Sequence, residues 1–242
     1  IETLVAELRT NPAAFADARA VVRRSGFGTT RLFELFRQHY HTTPADLLLR
    51  ARLTAAKRRL ATADAGLLEI AAEVGFESQS AFHDQFRRLN GLTPASYRDL
   101  RNGNAFTITL PEGYPLGYLR RALGRDTQSA TERLAGDCYE GAVHLGGQPA
   151  VLRLKFSPSQ ISVNVDDNFE APSRANPPEA RVSYARLFEA HALVIGLLGL
   201  DQDAAAFARL ARKLGLARLV AGRPELRIAQ TPSVFDGLLW SI

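Results

Sequence analysis

The sequence predicts a multidomain protein, an all-α double helix-turn-helix region followed by an α+β region with an antiparallel sheet backed by helices. Three observations predict it. Through the first hundred residues apolar side chains recur at helical spacing, and almost nothing there reads as strand. Within that stretch one motif occurs twice. After Arg101-Asn102-Gly103-Asn104 the pattern changes, and short runs alternate polar and apolar residues with a period of two.

The repeated motif is Gly-Phe, two apolar residues four apart, and Thr-Pro. Leu32, Phe36, Thr43 and Pro44 become Phe82, Phe86, Thr93 and Pro94 on adding 50, while Gly26-Phe27 becomes Gly75-Phe76 on adding 49, so one residue is inserted at the turn. Each copy has the parts of a helix-turn-helix. A short helix, Asp17 to Ser25 or Leu67 to Val74, precedes a glycine that can take the positive φ of a tight turn. The second helix opens on small hydroxylated residues suited to capping, Thr29 and Thr30 or Ser78 and Ser80. Its inward face is the i, i+4 pair, which leaves its N-terminal outward residues for a major groove. Between the copies, Pro44 to about Thr62 predicts a helix with a core stripe of Leu49, Leu53, Ala56 and Leu60 and with Arg50, Arg52, Lys57, Arg58 and Arg59 mainly off it. Nineteen helical residues span roughly 28 Å, close to the roughly 34 Å between successive major grooves on one face of a duplex. One polypeptide can then reach two grooves without dimerising.

These residues resemble the AraC-type double helix-turn-helix. The resemblance rests on Arg24-Ser25-Gly26-Phe27 with Leu32 and Phe36, and on Gly75-Phe76-Glu77-Ser78-Gln79-Ser80 with Phe82, Phe86, Gly91, Thr93, Pro94 and Tyr97, over about residues 15 to 100. It implies that base-facing positions lie early in each second helix, at Thr29, Thr30, Phe33 and Glu34 and at Gln79, Ser80, Ala81 and Asp84. Members often carry Arg where Glu34 and Asp84 stand, and a carboxylate near phosphates is unfavourable unless it accepts from a cytosine amino group. The expectation is phosphate-dominated binding with modest sequence preference, through Arg31, Arg37, Arg58, Arg87 and Arg88. The implied partner is double-stranded DNA, with RNA polymerase as a further one.

From Asn104 onward, Phe106 to Leu110, Leu152 to Phe156 and Ile161 to Val165 alternate as strands, Cys138 to Leu145 less cleanly, and Gly146-Gly147 turns one strand into the next. A helix between Leu116 and Gly124 follows the first strand, giving β-α-β-β-β and then helices. Two stripes mark those helices: Tyr184, Leu187, Phe188, His191, Ile195 and Leu198, then Phe207, Leu210, Ala211 and Leu214, with Asp201 and Asp203 at the start of the latter. Arg223 to Arg227 reads as a loop, and a last helix begins around Thr231-Pro232-Ser233.

This order resembles the non-catalytic N-terminal domain of AlkA-type DNA-3-methyladenine glycosylases. The residues that carry it are Phe106 to Leu110 with Pro111, the hairpin of Tyr139 to Leu145 and Val151 to Phe156, and Leu187-Phe188 ahead of Leu198-Gly199-Leu200-Asp201. Leu219-Val220-Ala221 with Arg223-Pro224-Glu225-Leu226-Arg227 and Phe235-Asp236-Gly237-Leu238 complete it. Beside the AraC-like half it implies an alkylation-repair lineage, with a zinc methyl-acceptor module upstream and a glycosylase domain downstream. The domains expected are 1–103, 104–230, and 231–242 as the first helix of a catalytic domain that this sequence does not contain. No catalytic residue, cofactor or metal is assigned, no base excision is expected from this chain alone, and whether the parent is an enzyme stays open. The rivals are a one-component regulator whose α+β half senses a small molecule, part of an intact glycosylase, and a helical half that serves protein contacts.

Composition sets the outer limits. With 46% hydrophobic and 23% charged residues the chain is neither disordered nor fibrous. No apolar run approaches the roughly 20 residues of a membrane helix and no secretory pattern opens the chain, so a cytoplasmic, nucleoid-associated protein is expected. The single cysteine, Cys138, excludes an internal disulfide and a multi-cysteine zinc site within these residues, and the absence of Met suggests a segment of something longer. Residues 1–103 hold fifteen basic against eleven acidic side chains, residues 104–242 fifteen against fourteen, so the cationic excess sits where a polyanion is expected. His39 and His41 end a helix without a third ligand; His144 and His191 read as strand or core residues. Asp166-Asp167 reads as a loop rather than an acid-base pair, Cys138 as a packed thiol, and neither Leu116-Gly117-Tyr118 nor Gly146-Gly147 follows a phosphate-loop pattern.

Overall fold

The computed structural model describes residues 1–166, 184–223 and 225–231. The chain divides into two compact units, Ile1–Arg87 with Thr93–Arg98, and Arg88–Leu92 with Asp99–Ile242.

The first unit is helical. It runs α1 (Glu2–Thr10), α2 (Ala18–Ser25), α3 (Thr29–Tyr40), α4 (Pro44–Thr62), α5 (Leu67–Glu73), α6 (Gln79–Asn90, whose last three residues fall in the second unit) and α7 (Pro94–Asp99). The sequence locates the helix ends well because the stop and start chemistry is explicit. Asp17 caps α2, its carboxylate accepting from the Ala20 N–H at 2.7 Å. Gly26 ends that helix in the left-handed region at φ 71°. Each Thr-Pro pair then starts a helix: Thr43 Oγ1 accepts from the Asp46 N–H and Thr93 Oγ1 from the Ser96 N–H, both at 3.1 Å, with proline following where its missing N–H costs nothing. Leu4, Val5, Leu8, Phe15, Val21, Leu32, Phe36, Leu47 and Leu48 form one buried cluster.

One expectation for this unit needs correction. In α4 the inward side includes Leu47 and Leu48, and Leu49 is only half-buried. The cations on α4 lie mainly off that side, with Arg50, Arg58 and Arg59 exposed and Arg52 and Lys57 half-buried. Arg52 donates from Nη2 to the Phe15 and Ala16 carbonyls at 2.7 and 2.8 Å, and Arg59 pairs with Glu73 at 2.7 Å. Lys57 lies 5.7 Å from the centroid of the Tyr97 ring, where burial lowers its pKa to about 8. Long cationic side chains bury their stems readily, which a stripe drawn from apolar residues alone overlooks.

The second unit contains β1 (Ala105–Thr109), α8 (Leu116–Leu123), β2 (Glu132–Ala135), β3 (Cys138–Leu145), β4 (Gln148–Phe156), β5 (Gln160–Asp166), α9 (Tyr184–Leu197), α10 (Ala204–Lys213) and α11 (Ala217–Val220). The strands form one antiparallel sheet in the order β1-β5-β4-β3-β2. Alternation decides its faces: Phe106, Ile108, Tyr139, Leu152, Leu154, Ile161 and Val163 are buried, whereas Thr107, Lys155 and Ser162 lie on the other face. Gly146 and Gly147, at φ 60° and 74°, make the expected tight turn between β3 and β4. β2 was not expected; Glu-Arg-Leu-Ala has no alternation and is held by edge pairing with β3.

Around α9 the packing is specific. His191 is fully buried, its Nε2–H donating to the Asn90 carbonyl at 2.8 Å, as a core histidine should. Tyr114 donates to the Leu198 carbonyl at 2.7 Å, and burial raises its pKa. Arg227 closes the turn after α9, donating from Nη1 to the Gly199 and Gln202 carbonyls at 2.9 and 2.6 Å. The stripe expected inside α10 needs correction: Phe207, Leu210 and Leu214 are 47%, 53% and 63% exposed, and Ala204, Ala208 and Ala211 are buried instead. All but Thr231 of the helix expected from Thr231 to Ile242, the second member of Asp166-Asp167, and the Tyr184 side chain lie outside the described residues.

Candidate nucleic-acid interface

α3 and α6 are built alike. Leu32 with Phe36, and Phe82 with Phe86, are at most 1% exposed and root each helix in the helical unit. That burial fixes the opposite face outward. Thr29, Thr30 and Glu34 on α3, and Gln79, Ser80, Ala81 and Asp84 on α6, are exposed; Phe33 is half-buried. The first turns of both helices are therefore clear, and their unsatisfied backbone N–H groups add partial positive charge there.

The turns differ in detail. Thr29 and Thr30 do not cap α3: its cap position is Gly28, without a side-chain hydrogen bond. The Ser25 hydroxyl tightens the turn instead, donating to the Val22 carbonyl at 2.7 Å and accepting from the Phe27 N–H at 3.1 Å. In the second copy Ser78 takes the capping role, accepting from the Ala81 N–H at 3.2 Å, while Ser80 lies within α6. Gly75 sits at φ 92°, and a Cβ there would lie 3.1 Å from Arg52 Nε.

The cations expected at phosphates are all exposed. Arg37 ends α3, Arg87 and Arg88 lie near the end of α6, and Arg58 is on α4. Arg31 is engaged with Glu34 at 3.4 Å, both side chains about 60% exposed, a pairing too solvated to hold either firmly. The position 50 further on from Arg31 is Ala81, so Asp84 lacks the cation that partly neutralises Glu34. Arg19 and Arg23 join these candidates, exposed one turn apart on α2, the helix that crosses the backbone in such motifs. Their i, i+4 spacing is the signal that would have found them. No group of three or more potential metal ligands occurs among the described residues, and none of the helices described is long and apolar enough to cross a membrane.

Paired short helices, glycine turns and outward first turns define a double helix-turn-helix protein. A family model described as a helix-turn-helix domain matches residues 21–100. Over 78 residues the chain is 35% identical to the regulatory protein SoxS of Escherichia coli (strain K12), covering 32% of this chain and 73% of SoxS. It is 39% identical over 67 residues to the raffinose operon transcriptional regulatory protein RafR of Pediococcus pentosaceus, covering 28% of this chain and 24% of that one. Among solved structures, the DNA-binding domain of AdpA in complex with a target DNA is 31% identical, covers 40% of this chain and 87% of that chain, and superposes with a TM-score of 0.38. The chain belongs to the AraC-type helix-turn-helix family. Its match spans about a quarter of the length of RafR and of the probable transcriptional regulator LumQ of Photobacterium leiognathi.

Proposed function

We propose that the chain is a DNA-binding transcription regulator in which α3 and α6 enter neighbouring major grooves of one duplex. The observation that carries this is the pair of helices rooted by equivalent buried residues, each with an exposed first turn, in a chain that shares most of the length of a regulatory protein. Thr29, Thr30, Phe33 and Glu34 face bases in one groove, and Gln79, Ser80, Ala81 and Asp84 in the next. Gln79 pairs with adenine, and the hydroxyls accept or donate. Arg31, Arg37, Arg58, Arg87 and Arg88, joined by Arg19 and Arg23, contact phosphates and supply most of the affinity. RNA polymerase is a further partner in this reading. Hydroxyl-radical footprinting tests the reading: two protected tracts separated by about 10 base pairs are expected. Arg37→Ala should weaken one tract and Arg87→Ala the other. A single tract insensitive to one of them would contradict it.

The α+β unit is the sensor in this reading. A concavity of about 580 Å³ over the open face of its sheet is lined by Thr107, Cys138, Lys155, Ser162 and Asn164, with Arg153 ion-paired to Glu140 and Asp166, a mixed polar and apolar surface open to a small molecule. A second reading takes this unit as the scaffold of an AlkA-type glycosylase, in a protein that couples regulation with repair of alkylated DNA. The antiparallel sheet followed by the Leu198–Asp201 turn favours it. A base-excision assay on the whole gene product separates the two: release of alkylated bases supports repair, and effector-dependent promoter affinity without release supports sensing.

A further inference from the structure

α4 fixes the distance between the two helix-turn-helix copies, but it does not by itself fix their orientation. Residues 41–43 join it to α3 and residues 63–66 join it to α5, and rotation in either short loop would turn a reading helix away. One side chain near the middle of α4 touches both copies. Arg52 Nη2 donates to the Phe15 and Ala16 carbonyls at 2.7 and 2.8 Å, immediately before Asp17 caps α2. Its Cζ lies 5.7 Å from the centroid of the Phe76 ring, and its Nε and Nη2 stand 3.1 and 3.2 Å from where a Cβ on Gly75 would be. One planar guanidinium therefore ties the entry to α2 in the first copy to the turn before α6 in the second. All of these residues lie in the helical unit. Burial works against the charge on Arg52, and the carboxylates of Glu77 and Asp17, one from each copy, work for it.

We propose that Arg52 is a positioning residue that holds α3 and α6 in the relative orientation by which one duplex is read in two grooves at once. The inference rests on the reading that both helices contact DNA, and Arg52 itself touches no base or phosphate in it. The surroundings explain why an arginine stands there. The two carbonyls take a charged donor and the Phe76 ring takes a flat cationic face, and a guanidinium supplies both. Its Nε is buried without a hydrogen-bond partner among the described residues, a loss that an apolar side chain of equal length would have avoided if packing were the whole purpose. Arg98 on α7 gives the contrast: its Nη2 donates to the Ala65 carbonyl at 2.7 Å, just before the cap of α5, a contact inside the second copy. Holding both copies in one orientation raises the effective concentration of the second contact once the first has formed.

The test uses the whole chain and a duplex of about 30 base pairs that it selects from random sequence, together with two duplexes that each keep one protected tract. Arg52→Met, similar in length but uncharged, should bind the two-tract duplex at least about tenfold more weakly, with affinity for each single-tract duplex unchanged. It should also tolerate an insertion of about five base pairs between the tracts, half a helical turn, which the unsubstituted chain should not. Arg52→Lys, which keeps a donor and a cation, should recover part of the loss. Arg98→Met should change the affinities for the two-tract duplex and for the α6 tract by the same factor. In the absence of DNA, spin labels at Thr30→Cys and Ala81→Cys in a Cys138→Ser background should give one narrow distance distribution that Arg52→Met broadens. If circular dichroism shows Arg52→Met unfolded, Phe76→Leu, which removes the ring and keeps the arginine, should give the same pattern at smaller size. Equal losses on two-tract and single-tract duplexes, or an unbroadened distribution, would overturn the proposal. An unsubstituted chain that binds the two-tract duplex no better than a single tract would count against the two-groove reading instead, and the label distances would then decide whether Arg52 holds the helices.

Discussion

The two helix-turn-helix copies answer the same structural problem with unequal investment. In the first, a Cβ at Gly26 would meet nothing within 4 Å and Phe27 is 43% exposed, so the turn between α2 and α3 stands clear of the core. In the second, Arg52 and Ala13 close in on Gly75, and aromatic contacts run from Phe76 through Phe82 and Phe86 to Tyr97 at 5.2 to 5.6 Å. A shared motif thus specifies the turn and the outward face, while what lies beneath it sets how firmly each reading helix is held.

The largest effects should come from the aromatic chain. Phe86→Ala removes a fully buried ring that touches two others and should cost about 3–5 kcal/mol, measured by denaturant unfolding. Comparable loss from Phe27→Ala would break the comparison. The glycines sharpen it: Gly26→Ala should cost about 1–2 kcal/mol for its left-handed backbone alone, and Gly75→Ala more than that, because Ala13 backbone at 3.3 Å cannot yield as Arg52 can.

Lys57, beneath α7, offers a pH test. Its pKa is depressed from 10.5 to about 8 by burial, so the unfolded chain binds the proton more tightly, and stability rises as pH climbs from 8 toward 10.5. Lys57→Met should stabilise the protein at pH 7 by about 1–2 kcal/mol, the desolvation relieved less the cation–π attraction lost. The advantage should shrink across that pH range in thermal melts. The smallest effect concerns the helix starts: Ser78→Ala should cost about 1 kcal/mol, whereas Gly28→Ser should gain only a few tenths.

The helical unit was legible because its punctuation is chemical. Asp17, Gly26, Thr43-Pro44, Gly75 and Thr93-Pro94 each act within a few residues, so α4 begins and ends where periodicity put it. What the sequence concealed was long-range. Arg52 reaches carbonyls 36 and 37 residues away, Lys57 finds a ring 40 residues on, and β2 exists only because β3 pairs with it. The apolar stripe on α10 is legible in the sequence but its exposure is not, since periodicity gives a face without saying what covers it. For the interface, the outward residues followed from the inward pairs. The contact between Arg31 and Glu34 needed coordinates, although the lack of a counterpart beside Asp84 is plain from Ala81.

If two arginine-flanked helices grip one duplex at once, the salt dependence of binding shows it most directly. With about six phosphate contacts the slope of log affinity against log salt should be roughly −5, falling by about 1 in magnitude for each of Arg37→Ala and Arg87→Ala. A slope near zero, or one that responds to only one of these two substitutions, would contradict it.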